Sequence, residues 1–103
     1  MSLCDSDAVL SVIIPVLNEA AGLPALLTEL IEQCGQCQNA VEVIFVDGGS
    51  SDASAALIAA SGFRLVAGPR GRARQMNVGA SLASGGYLLF LHADTLLPKH
   101  AFD

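Results

Sequence analysis

Apolar positions along this chain follow two rhythms. Residues 9–16 and 41–46 are short runs rich in Val and Ile. They are too short for helices and bounded by polar residues or Pro15, so they read as buried strands. Between them, Leu23, Leu26, Leu27, Leu30 and Ile31 follow the i, i+3, i+4, i+7, i+8 spacing of an amphipathic helix. Asn18 and Glu19 stand where they can cap that helix, and Gly35 with the polar stretch to Asn39 ends it. After the second run, Asp47-Gly48-Gly49-Ser50-Ser51 predicts a turn whose serines cap a second helix, with Ala53, Ala56, Leu57 and Ala60 on one stripe. Gly62 stops it, residues 63–67 form a short strand, and Gly68-Pro69-Arg70-Gly71 is a loop. A third helix over about residues 72–83 carries Ala73, Met76, Ala80 and Ala83, with Asn77 on the same sheet-facing side. Gly85 and Gly86 lead into a fourth strand at 87–91. Strands alternating with helical crossovers call for a parallel sheet with right-handed connections and helices on both faces.

Composition narrows the class. At 103 residues, 52% hydrophobic and 15% charged, the chain is one α/β domain, too apolar for disorder. Its net charge of -5 gives a nucleic-acid backbone little to hold. Yet four of its five basic residues are Arg64, Arg70, Arg72 and Arg74. That local cluster suits either one small anionic ligand or a solvated loop. No run approaches the roughly 18–20 apolar residues of a membrane span, and no leader pattern opens the chain, so a cytoplasmic protein is expected. Three cysteines argue against a disulfide framework. Cys34 and Cys37 form a C-x-x-C without a second pair for zinc, and read as reduced thiols.

In an open parallel sheet, ligands bind beyond the carboxyl ends of the strands. The residues there are Asn18 and Glu19, then Asp47, then His92 and Asp94. Acids gathered at one sheet edge repel unless they meet a cation or hydrogen-bond donors, which suggests a metal-assisted site for a phosphate-bearing ligand. Neither a dinucleotide G-x-G-x-x-G nor a P-loop follows the first strand. At the second strand end, Asp47 can accept hydrogen bonds from a base or ribose, and Gly48 and Gly49 allow close backbone approach. The same turn also reads as a plain strand-to-helix connection with Asp52 favouring the helix dipole.

Four segments together resemble the family-2 glycosyltransferases of GT-A fold. They are Ser11-Val12-Ile13-Ile14-Pro15-Val16-Leu17-Asn18-Glu19, Val43-Ile44-Phe45-Val46-Asp47-Gly48-Gly49-Ser50-Ser51-Asp52, Gly71-x-Ala73-x-x-x-Asn77-x-Gly79, and Gly86-Tyr87-Leu88-Leu89-Phe90-Leu91-His92-Ala93-Asp94. They stand in the right order along nearly the whole chain. The resemblance implies a Rossmann-like nucleotide-sugar-binding half. Pro15, Asn18, Glu19, Asp47, Gly48, Gly49 and Ala93 would lie at the donor. Glu19 and Asp47 would contact its nucleoside, and Asp94 would hold the divalent metal, Mn²⁺ or Mg²⁺, that bridges its diphosphate. The donor would be a nucleoside-diphosphate sugar, with uridine diphosphate the family's commonest carrier. Asp52 belongs either to the donor pocket or to a helix cap. The family's usual Asp-x-Asp is replaced here by His92-Ala93-Asp94. His92 serves as a second ligand or phosphate partner, or else satisfies loop backbone. Among the arginines, Arg72 at a helix start is favoured over Arg74 as the phosphate binder. Asn77 bonds to a loop or contacts ligand.

By the same resemblance, inverting transfer needs a general base from the half after the metal motif. That base and the acceptor wall are expected outside residues 1–103, which read as a fragment able to bind donor without transferring sugar. Exposed sheet edges would favour pairing with a second copy. The alternatives are a non-catalytic nucleotide or sugar-nucleotide binding module, and a small α/β signalling domain, for which Asn18-Glu19 and Lys99 are poorly placed.

Overall fold

The two Val- and Ile-rich runs lie side by side at the centre of a four-stranded sheet. A computed structural model describes residues 10–36 and 41–93. In chain order these form β1 (Leu10–Val16), α1 (Leu23–Gln36), β2 (Val41–Asp47), α2 (Ser54–Ser61), β3 (Arg64–Ala67), α3 (Arg72–Leu82) and β4 (Tyr87–Phe90). The spatial order is β3-β2-β1-β4. Every pairing is parallel, with Ile13 opposite Ile44, and again opposite Phe90 on the other side. The predicted class and topology therefore stand.

Strand alternation divides the interior into two layers. Val12, Ile14 and Val16 of β1 meet Val43 and Phe45 of β2 under Leu23, Leu26, Leu27 and Leu30 of α1 and Ile58 of α2. Ile13, Ile44 and Val46 point to the opposite face, beneath Val78 of α3. Val12, Ile13, Ile14, Ile44, Phe45 and Val46 are all fully buried. At about 1.5–3 kcal/mol for each such side chain, the central strand pair anchors the fold. No described helix is long and apolar enough to cross a membrane.

Several local expectations change. Ile31 is 54% exposed, so the stripe of α1 runs from Leu30 to buried Gln33 and Cys34 without it. α1 begins at Leu23, too late for Asn18 or Glu19 to cap it. Instead the Glu19 carbonyl accepts from the N–H groups of Gly22 and Leu23 at 3.1 Å, closing a turn before the helix. On α2 the buried positions are Ser54 and Ile58, while Ala53, Ala56 and Ala60 face solvent. On α3 the buried positions are Gln75 and Gly79; Ala73 and Asn77 are exposed. Gly79 is the point of closest approach, because a Cβ there would run into Ile13 Cγ2 and stand 3.2 Å from Val46 Cγ2. β4 is an edge strand with Tyr87, Leu88 and Phe90 exposed.

At the amino edge, buried Glu42 accepts from Ser11 Oγ at 2.8 Å and from the Ser84 N–H at 2.9 Å. The Ser11 hydroxyl accepts in turn from the Gly85 N–H at 2.8 Å. Arg64 Nη1 lies 3.9 Å from Glu42 Oε2. This network ties the α3–β4 turn under the sheet and removes Arg64 from the arginine cluster available at the other end.

Candidate functional site

At the carboxyl edge, the loop after β1 and the turn after β2 are stitched together. The backbone N–H groups of Asn18, Glu19 and Ala20 donate in succession to Ser50 Oγ at 2.9 Å, Ser54 Oγ at 2.9 Å and Asp52 Oδ2 at 3.1 Å. Asn18 Oδ1 accepts from the Ser51 N–H at 2.7 Å. Three consecutive N–H groups can face one neighbour because Asn18 adopts φ 54°, a left-handed conformation that Asn tolerates better than most residues. The Asp47 carboxylate accepts from the Ser50 N–H at 3.2 Å on each oxygen, and from the Ser50 hydroxyl. Gly49, at φ 98°, supplies the turn.

Asp52 is exposed, yet its carboxyl is held below its ordinary value of 3.8, first by the Ser54 hydroxyl, then by the Ser54 N–H, with the Ala20 N–H adding to both. A depressed native value means that the ionised side chain stabilises the folded loops above the ordinary aspartate range, and that this contribution disappears as pH falls through the native value. Thermal melts between neutral pH and pH 2.5 should show wild type losing its advantage over Asp52→Asn only in the acid limb. A constant difference would contradict this role.

The stitched loops form one wall of a cleft of about 230 Å³, lined by Pro15, Val16, Leu17, Glu19, Arg70, Gly71, Arg72 and Gln75. It opens at the carboxyl end of β1, where strand order reverses: the chain moves from β1 through β2 to β3, then crosses to β4 on the other side. Glu19 reaches it from the loop after β1, Arg70 and Arg72 from the loop before α3 and the first residue of that helix. Among the described residues none of these three side chains has a hydrogen-bond or ion-pair partner. Arg72 opens α3, whose N-cap Gly71 has no side-chain cap. The exposed N–H groups and the helix dipole add to the two guanidinium charges, favouring an anion at this wall.

Pro15, Glu19 and Arg72 thus line the cleft, as does Arg70, while Arg74 does not. Asn18, Asp47, Gly48, Gly49 and Asp52 form the adjoining turn. There the Asn18 and Asp52 side chains are engaged in bracing the loops. The ladder continues past β4 through the Leu91 N–H, which donates to the Ile13 carbonyl at 3.0 Å. It delivers Ala93, buried, and His92, exposed, to the carboxyl edge. Asp94 lies outside the described residues, as does Cys37. The described residues contain no group of three or more His, Cys, Asp or Glu that could hold a metal ion. Exposed His92 alone is not a ligand set.

Gln75 was not anticipated. It is 3% exposed and sits beneath the cleft, its amide nitrogen donating to the carbonyls of Val16 at 3.0 Å and Val46 at 2.8 Å. The only sequence signal for it is an amide between Arg74 and Met76, two residues before the Asn77 that the sequence brings forward instead.

A family model described as glycosyl transferase family 2 matches residues 11–102. The chain belongs to that family. It is 38% identical over 96 residues to an undecaprenyl-phosphate 4-deoxy-4-formamido-L-arabinose transferase of Aeromonas hydrophila, covering 85% of this chain and 29% of that protein. To a PGL/p-HBAD biosynthesis glycosyltransferase of Mycobacterium tuberculosis it is 43% identical over 95 residues, covering 84% of this chain and 36% of the relative. The chain therefore spans about a third of the length of these relatives. Among solved structures it is similar to a mannosyltransferase from Pyrobaculum calidifontis in complex with GDP-Man and Mn²⁺, with a TM-score of 0.76 at 25% identity over 94% of this chain and 31% of that one. The parallel sheet is the GT-A, Rossmann-like arrangement that membership of the glycosyltransferase family implies.

Proposed function

We propose that this chain supplies the donor site of a family-2 glycosyltransferase that moves a sugar from a nucleoside diphosphate to an acceptor with inversion. The observation that carries this reading is the cleft at the carboxyl end of β1, which Glu19, Arg70 and Arg72 line together, none of them with a side-chain partner among the described residues. Glu19 and Asp47 would receive hydrogen bonds from a nucleoside, with Pro15, Gly48 and Gly49 permitting close approach. Arg70, Arg72 and the start of α3 suit the diphosphate. Asn18 and Asp52 hold the loops in position rather than spending their oxygens on ligand.

A divalent cation, Mn²⁺ or Mg²⁺, is proposed at Asp94 with His92, beside Ala93. When bound it would supply charge neutralisation for the departing nucleoside diphosphate. Acceptor binding and the general base are placed outside residues 1–103. The odd cysteine count supports a reducing, cytoplasmic setting. Pairing with a second copy is proposed through the exposed edge β4, and sedimentation of the chain as a monomer at high concentration would count against it.

Calorimetric titration of this chain with UDP and with GDP, with and without Mn²⁺, tests the proposal. Binding strengthened by Mn²⁺ and returned to its metal-free level by Asp94→Ala is the expected result. Binding indifferent to Mn²⁺ in both proteins would remove the metal from the reading and leave the cleft as a nucleotide-binding module.

A further inference from the structure

Each carbonyl at the end of a parallel strand pair has two lone pairs, so it can accept a side-chain donor in addition to a backbone one. Here Val16 and Val46 end the β1–β2 ladder one residue apart in register, since Pro15 pairs with Val46 and Val16 with Asp47. The Val16 carbonyl already accepts from the Gly48 N–H at 3.0 Å, and one side chain from the opposite face joins both ends: Gln75 Nε2 donates to the Val16 carbonyl at 3.0 Å and to the Val46 carbonyl at 2.8 Å. Its Oε1 accepts from the Gly71 N–H at 3.2 Å, the residue that opens α3. The Gly71 carbonyl accepts the Gln75 N–H at 2.8 Å, so the helix start and the side chain are locked to each other. Gly48 is pressed against this amide, for a Cβ there would stand 2.8 Å from Gln75 Cδ and Oε1. Gly48, having no side chain, leaves the room this amide occupies beneath the β2 turn.

We infer that Gln75 is a positioning residue that fixes the width of the donor cleft, by holding the ends of β1 and β2 and the Gly71-Arg72 turn at set distances from one another. The inference rests on the donor-site reading above. The three segments it joins carry Glu19, Asp47 and Arg72, the groups proposed to meet the nucleotide from different sides. No other described side chain bonds to all three segments. An amide is needed because both strand ends present acceptors while the helix start presents a donor. Glutamate would set a carboxylate against two carbonyls, asparagine is one methylene short, and methionine keeps the length but offers neither donor nor acceptor.

The test compares wild type, Gln75→Met and Gln75→Asn with a stability control, Ile58→Ala, which opens the core on the α1–α2 side away from the cleft. UDP and GDP affinities are measured at a temperature where all remain folded, together with amide hydrogen exchange. A shift in cleft geometry should lower affinity in the Gln75 variants by at least about tenfold, while Ile58→Ala stays within about twofold. Exchange at the Gly71 and Gly48 N–H groups should accelerate in the Gln75 variants, with Ile13 and Phe45 in mid-strand unchanged. If Gln75→Met does not fold, Gln75→Asn carries the comparison. Gln75 variants that keep wild-type affinity, or that speed exchange uniformly like Ile58→Ala, would overturn the inference. Failure of wild type itself to bind either nucleotide would strike the donor-site reading instead, with the exchange pattern still deciding whether Gln75 clamps the three segments.

Discussion

Gly79→Val is expected to be the most destabilising single substitution on α3, lowering stability by about 2–3 kcal/mol through overpacking, or about 10–20 °C in Tm for a domain of this size. The new Cβ would collide with Ile13 Cγ2 and crowd Val46 Cγ2, both carried by fully buried residues of the central strands. Relief requires α3 to move off the sheet, which breaks contact with Ile44 and Val46 and tilts the helix start that carries Arg72. Asn77→Val, two residues earlier on an exposed position, should cost no more than about 0.5 kcal/mol. Thermal melts of the pair check this directly. Equal losses for both would mean that the helix presents a different face to the sheet.

The second large effect concerns ligand. Removing Arg72 or Arg70 should each weaken UDP or GDP binding by roughly tenfold or more, since a hydrogen bond between charged groups contributes about 1.5–3 kcal/mol. Arg74→Ala, outside the cleft lining, should leave affinity within about twofold, as expected of a surface change that touches no ligand. Both losses should shrink as salt rises, because partly exposed charges are screened. Calorimetry with the uncharged nucleoside uridine provides the control. If Arg72→Ala weakened uridine as much as UDP, the arginine wall would not be the phosphate wall.

Much of the fold was legible in the sequence because its punctuation is strong. Gly62 and the Gly85-Gly86 pair separate segments whose apolar spacing differs in kind, while Gly35, expected to end α1, lies within it, and the parallel order follows from strands alternating with helices. The helix faces were harder to read, for a physical reason. Half of α2 is alanine, so its pattern carries little directional information, and Ile58, one turn after Ser54, marks the buried side. α3 turns Gln75 and Gly79 inward, neither of them an apolar signal, because the helix comes too close to the sheet for a side chain at one position and satisfies strand carbonyls at the other. β4 is as apolar as a core strand but sits at the edge.

The site was legible where residue chemistry and strand-end position coincide. Pro15, Glu19 and Arg72 were singled out from sequence and line the cleft. The sequence offers Asn18 and Asp52 as ligand groups or caps, yet their oxygens accept from backbone N–H groups 33 and 32 residues away along the chain. No local pattern announces such pairings. Gln75 was invisible for the same reason, its partners Val16 and Val46 lying 59 and 29 residues upstream.

The most direct measurement is a residue-by-residue map of amide chemical shifts as the chain is titrated with UDP and with GDP. A donor site at the carboxyl edge predicts that the largest shifts fall on Val16 to Glu19, Asp47 to Gly49 and Gly71 to Gln75, with the amino-edge network of Ser11, Glu42 and Ser84 unmoved. Shifts centred on that amino edge, or none with either nucleotide at saturating concentration, would contradict the assignment of the donor site to this chain.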